Sequence, residues 1–231
     1  MKTIGMLGGM SWESTSTYYR VLNEGIKAEL GGLHSAKIIL YSVDFDEIEV
    51  LQHAGDWDAT AEILVDAAKK VQAAAADFLL ICTNTMHKVA HQVEAAIDIP
   101  LLHLADATGK RLQDQGVKQV GLLGTRFTME QDFYKQRLVE GFGLDVLIPQ
   151  ANEIEVVHKV IYEELCLGHI HDDSREYYLK VINNLQQRGA EAVILGCTEI
   201  ALLVQQAHCN LPLFDTTTIH CEEAVAFALE T

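Results

Sequence analysis

Positive charge is scarce in this chain. Its 231 residues carry 17 Lys and Arg against 33 Asp and Glu, a formal net charge of −16. That balance argues against non-specific binding to nucleic acid or to an anionic membrane surface. It serves solubility, and any anionic ligand must be held by local donors against the global field. Long apolar runs are missing as well. No stretch approaches the ~18 residues of a membrane-spanning helix. The opening MKTIGMLGGM joins a lysine to an apolar run, but the run breaks at Gly8 and Gly9, too early for the apolar region of a signal peptide. A soluble, cytoplasmic protein is expected. Cysteine is sparse and unpatterned. Cys82, Cys166, Cys197, Cys209 and Cys221 make an odd count of five, with irregular spacing and no Cys-x-x-Cys pair. This argues against a disulfide framework or a zinc site, and reduced thiols in a cytosol fit better. Low-complexity tracts and Ser/Gly/Pro-rich linkers are also absent.

What is present is a regular alternation. Hydrophobic residues make up 49% of the chain, enough for a sizeable core. KTIGMLG, AKIILYSV, DFLLICT, IPLLHL, KQVGLLG, GLDVLIP, EAVILGC and LPLFD are short, nearly continuous apolar runs. Strands read this way when helices cover both faces of a sheet. Between them lie amphipathic stretches such as ATAEILVDAAKKVQAAA and REYYLKVINNLQQRG. The pattern predicts an α/β protein with mainly parallel sheets flanked by helices.

The two halves resemble each other. Lys2–Gly8 (KTIGMLG) matches Lys118–Gly124 (KQVGLLG), and the same spacing carries Tyr18 onto Tyr134. FLLICTN matches AVILGCT, and IPLL matches LPLF, in the same order. Three ordered anchors point to an internal duplication. Two similar lobes are expected, 1–102 plus 208–231 and 103–207, related by a pseudo-twofold with the active site in the cleft between them. Ligands in open α/β sheets bind beyond the carboxyl ends of the strands, so the strand ends carry the candidates.

Gly8 and Gly9 permit a sharp turn with exposed N–H groups, Met10 follows, and Ser11 or Ser14 could cap the next helix. The loop is not G-x-G-x-x-G and no Walker lysine follows, so a small carboxylate suits it better than a dinucleotide; a plain βα turn is the alternative. In GTRFTMEQDF, Thr125 and Thr128 either cap a helix or hold an anionic group. Asn84 and Thr85 offer donors and acceptors beside Thr83. Cys197, at a strand end just before a helix and flanked by Gly196 and Thr198, is the sharpest residue: a nucleophile or base if its pKa is lowered, an inert buried thiol otherwise. Cys82 points to the opposite face from Thr83 by strand alternation and belongs to the core. His87, following the Thr83 loop, could tune that site, though a solvated helix residue is the favoured reading. His169, His171, Asp172 and Asp173 read as solvated surface, with no metal expected.

At GGMSWEST, CTNTMH and GCTEI the sequence resembles the cofactor-independent aspartate/glutamate racemase superfamily. The similarity runs from KTIGMLGGM through GLLGT and IYEEL to GCTEI, nearly the whole chain. Within that superfamily it looks closest to the L-aspartate/glutamate-specific racemases, which have T-N-T in place of C-N-T. The resemblance implies a two-lobed racemase without pyridoxal phosphate or any other cofactor, acting on an amino-acid dicarboxylate, with a homodimer among the expected arrangements. It implies that Cys197 exchanges the α-proton of the L-enantiomer and that Thr83 serves the opposite face. Gly9, Met10, Asn84, Thr85, Thr125, Thr198 and Glu199 match substrate-binding loops, with Thr128 beside them. Gln52 lies in the region that contacts the distal carboxylate.

Two departures follow. Thr83 replaces a thiol, and its hydroxyl is a far poorer proton acceptor, so a lopsided enzyme is expected, quicker on L-substrates. Two-cysteine aspartate racemases often carry a lysine after IYEEL and an arginine after the second strand. This chain has Cys166 there, and DEIEVLQ has no basic residue. With no pyridoxal or metal to spread the charge, an enolate-like intermediate must be stabilised by preorganised donors, and Cys197 is expected as a thiolate helped by a helix N-terminus. The rival readings are a single-cysteine decarboxylase or isomerase of the same superfamily, and a non-catalytic dicarboxylate-binding protein.

Overall fold

The computed structural model describes residues 1–230. In chain order the strands are β1 (Ile4–Gly8), β2 (Ile38–Ser42), β3 (Phe78–Ile81), β4 (Gln119–Gly124), β5 (Asp145–Leu147), β6 (Ala192–Gly196) and β7 (Leu213–Asp215). The helices are α1 (Trp12–Leu30), α2 (Phe45–Ala54), α3 (Trp57–Ala73), α4 (Ala90–Glu94), α5 (Leu104–Asp114), α6 (Arg126–Glu130), α7 (Asp132–Phe142), α8 (Ala151–Glu163), α9 (Asp172–Gln187), α10 (Ile200–Leu203) and α11 (Thr216–Leu229). Short 3-10 turns cover Thr85–Val89, Leu165–Leu167 and Gln206–His208. The protein is α/β, with two parallel sheets flanked by helices.

The chain falls into two compact units, Met1–Leu104 with the segment from His220 onward, and Ala105–Ile219. The first boundary lies close to the expected 102/103. The second lies well beyond 207/208, because β7 pairs with β6 and takes residues 208–219 into the second unit.

The first unit holds the sheet β2-β1-β3. Every residue of β1 and β3 is buried. Their side chains alternate between two cores, as period-2 geometry requires. Leu7, Leu79 and Ile81 pack with Ala61, Leu64, Ala68 and Val71 of α3. Ile4, Met6, Phe78, Leu80 and Cys82 pack with Tyr18, Leu22 and Ile26 of α1 and with Cys221, Ala224 and Val225 of α11. Helices on both faces explain why neither strand alternates apolar and polar residues in sequence. The second unit holds β5-β4-β6-β7, with Leu123, Val193 and Leu195 against Ile154 and Val157 of α8 and Tyr178, Val181 and Leu185 of α9.

The registers support the duplication. Ile4 pairs with Phe78 in the first sheet, and their counterparts Val120 and Ala192 pair in the second. Leu79 bridges Leu101 where Val193 pairs with Leu213. One expected strand is not built: IPLLHL contributes only that bridge. Leu79 N donates to Pro100 O at 2.9 Å and Leu102 N to Leu79 O at 3.0 Å, and α5 begins at Leu104 before a second pair can form.

Candidate active site

In the first unit the candidates gather where β1 and β3 end. Gly8 and Gly9 are imposed by close approach. A Cβ on Gly9 would lie 2.2 Å from Val43 O, and its φ of +92° is left-handed. Ser11, rather than Ser14, caps α1, accepting from Ser14 N at 3.2 Å. Ser14 Oγ instead donates to Cys82 O at 3.0 Å, tying the first turn of α1 to the end of β3. The Gly9 N–H donates to Thr15 Oγ1 at 2.7 Å, so this amide is already engaged within the loop. Met10 is buried in the same core as Ile81 and Met86. Gln52, in the last turn of α2, is buried and donates from Nε2 to Met86 Sδ at 2.9 Å. Thr83 is half-buried in the bend after β3, and Asn84 and Thr85 are buried beside it.

His87 is a correction. It is 3% exposed rather than solvated. Leu104 N–H donates to its Nε2 at 3.2 Å. Since a backbone N–H can only donate, Nε2 is the acceptor and the proton sits on Nδ1, which donates to Thr83 O at 2.8 Å. A neutral imidazole therefore clamps the Thr83 bend to the start of α5. His103 packs edge-on to it, with ring centroids 4.5 Å apart. Sequence offers one signal for this clamp, the spacing of four residues from Thr83 to His87 in a helical turn.

In the second unit β4 and β6 end side by side. Gly124 pairs with Gly196, and a Cβ on Gly196 would meet Leu123 O at 2.7 Å. Thr125 and Cys197 each follow one of these glycines. Thr125 Oγ1 accepts from Thr128 N at 3.3 Å and caps α6, the plainer of its two expected roles. The Thr128 hydroxyl is fully buried 3.2 Å from it. Cys197 and Thr198 are half-buried and Glu199 is buried. Cys197 Sγ lies 2.9 Å from Glu199 Oε2, and Thr198 Oγ1 donates to the same oxygen at 2.6 Å.

The surroundings of Cys197 do not favour the expected thiolate. Burial, then the charges of Glu199 and of Cys166, push the Cys197 thiol well above its ordinary value. The helix that follows, α10, has only four residues, so it supplies little of the dipole that would lower a thiol's pKa. Cys82 behaves as expected, a core thiol raised by burial. His169, His171, Asp172 and Asp173 are exposed. Among the described residues no three His, Cys, Asp or Glu side chains cluster as metal ligands, and no helix is long and apolar enough to cross a membrane.

Register makes Thr83 and Cys197 counterparts. Each stands two residues beyond a matched pair, Leu7 with Ile81 and Leu123 with Leu195. The sequence profile of the Asp/Glu/hydantoin racemase family matches residues 7–224. The chain belongs to that family. It is thus a racemase, an isomerase. It is 22% identical over 228 residues to the broad specificity amino-acid racemase RacX of Bacillus subtilis (strain 168), covering 96% of each chain. Among solved structures it resembles a chain from Yersinia pestis provisionally named an Asp/Glu racemase, at 54% identity and a TM-score of 0.93 over 100% of both. It also resembles an aspartate racemase homologue from Pyrococcus horikoshii OT3, at 34% identity and a TM-score of 0.85, again over 100% of both chains. Of the candidate residues, Gly9, Met10, Gln52, Thr83, Asn84 and Thr85 lie in the first unit, and Thr125, Thr128, Cys197, Thr198 and Glu199 in the second.

Proposed function

We propose that the protein interconverts L- and D-aspartate or glutamate without a cofactor, with Cys197 as the base for the L-enantiomer and Thr83 serving the opposite face. The observation that carries this reading is the equivalence of Thr83 and Cys197 at matched strand ends. It is supported by the family, by the names of the relatives, and by the polar groups held around each residue.

The chemistry explains the asymmetry. An α-proton of an amino acid leaves only if the carbanion's charge is spread into the carboxylate, and donors fixed in place do this without reorganisation. Asn84, Thr85 and backbone N–H groups at the strand ends are the candidates. A thiolate can take such a proton and, as the thiol, return it. A threonine hydroxyl can pass one to the carbanion, directly or through water, but is a poor acceptor. L-substrate therefore exchanges its α-proton at Cys197 faster than it inverts. Gln52 is the candidate for the distal carboxylate. The five free cysteines fit a reducing cytoplasm. A homodimer belongs to the same reading and is read by sedimentation.

The test is α-proton exchange in D₂O, followed by NMR, on both enantiomers of aspartate and glutamate, with Cys197→Ala as the control. Exchange of the L-forms faster than inversion, abolished in the variant, supports the reading. No exchange of any of the four sinks it.

A further inference from the structure

Resting on the reading above, we propose that Glu199 is the proton acceptor for Cys197: the two side chains share one proton, and Glu199 takes it when the thiol acts on substrate.

The geometry of β6 and its turn carries this. The strand stops at Gly196, and the chain then presents Cys197, Thr198 and Glu199 in succession before α10. Two donors converge on Glu199 Oε2, the Cys197 thiol at 2.9 Å and the Thr198 hydroxyl at 2.6 Å. With the thiol and the hydroxyl both donating to it, Oε2 is the acceptor of the resting pair and the thiol keeps its proton. The Thr198 hydroxyl holds the carboxylate in that orientation. Ile200 N donates to Cys197 O at 3.1 Å and closes the turn.

The neighbours that act on Cys197 disfavour a free thiolate. Among the described residues, titratable groups coupled to Cys197 include Glu199 from its own turn, Cys166 from the Leu165–Leu167 turn, and Tyr178 from α9, with Glu164 beyond them. All are acids. A thiolate formed next to an ionised Glu199 would place two negative charges side by side, which is unfavourable in a buried site. Moving the proton from Sγ to Oε2 keeps the pair at one negative charge throughout. Burial first, and the Glu199 carboxylate after it, raise the thiol in this arrangement.

The step balances without any other reactant. The Cys197 S–H bond breaks and an O–H bond forms on Glu199. The thiolate then takes the α-proton, forming a new S–H bond and leaving the electron pair on the substrate's enolate-like carboxylate. Glu199 returns its proton to water. In the reverse direction the thiol gives its proton to the carbanion and is recharged from Glu199. The α-proton of an L-substrate consequently exchanges with solvent through Glu199.

The experiment uses the full chain and the variants Glu199→Gln, Glu199→Asp and Cys197→Ala. One arm reads α-proton exchange of L-aspartate and L-glutamate against pH. Glu199→Gln is expected to slow exchange by ~10²-fold or more, the usual worth of a positioned base, and Glu199→Asp to restore part of it. The other arm needs no activity. It follows alkylation of Cys197 by iodoacetamide across pH, by mass spectrometry of the Cys197 peptide. Removing the carboxylate is expected to move that titration to lower pH while exchange falls. Exchange by Glu199→Gln within about threefold of wild type, or an unmoved alkylation midpoint, overturns the proposal and leaves the racemase reading standing. If wild type exchanges none of the amino acids, the racemase reading falls, and the alkylation arm still decides whether the two side chains share a proton.

Discussion

Acid should weaken the first unit through one buried histidine. His220 is fully buried at the start of its segment of α11. Its Nε2–H donates to Leu102 O at 2.8 Å, so Nδ1 accepts from the Tyr18 hydroxyl at 2.9 Å. Burial pushes its pKa from 6.5 down to about 4, against smaller opposing effects of the Leu102 carbonyl and Glu223. Between those two values the unfolded chain binds a proton that the folded chain refuses. Stability from this group is therefore complete above pH 6.5 and is lost as pH falls from 6.5 toward 4. At pH 4.5 the loss covers nearly two pH units at ~1.4 kcal/mol each, about 2.5 kcal/mol. Carboxylates titrate over the same range, so the comparison is with the double variant His220→Leu, Tyr18→Phe, which shares all of them. Both tryptophans, Trp12 and Trp57, lie in the first unit, and their fluorescence in urea reports on its unfolding. The stability gap between wild type and variant is expected to shrink by about 2.5 kcal/mol from pH 7 to pH 4.5. Parallel lines across that range would refute the claim that the fold excludes this proton.

Gly9→Ala should cost about 2 kcal/mol or more, since a left-handed φ and a Cβ 2.2 Å from Val43 O are both unfavourable; thermal unfolding measures it, and a loss under ~0.5 kcal/mol would contradict the close approach. His87→Leu removes the donor to Thr83 O and the acceptor for Leu104 N. Inversion of L-aspartate should fall by roughly tenfold or more through misplacement of Thr83, while its α-proton exchange, which depends on Cys197, stays within a few-fold; equal losses in both would count against a clamp local to Thr83.

The strands and the duplication were readable because continuous apolar runs and their order survive in the sequence whatever the side chains touch. Thr83 and Cys197 could be matched for the same reason, and the register of the two sheets agrees. His87 was misread because its burial depends on Leu104 N–H, brought in by α5, and a lone histidine after a polar loop carries no mark of that partner. The raised thiol of Cys197 was half legible. Glu199 stands two residues away, but the desolvation and the approach of Cys166 come from folding, and a four-residue α10 is indistinguishable in sequence from the start of a longer helix. IPLLHL failed as a strand because the start of a helix at Leu104 competed for the same residues.

The segment from His220 also sets an order of assembly. Cys221, Ala224 and Val225 complete the core around Tyr18 and Ile4, and Lys2 N donates to Ala228 O at 2.8 Å. During synthesis the residues of the second unit, Ala105–Ile219, are all made before that segment. The earlier-made unit is thus the later to close. The Tyr18 face of its sheet stays uncovered until that segment is made, an exposed apolar surface on the nascent chain.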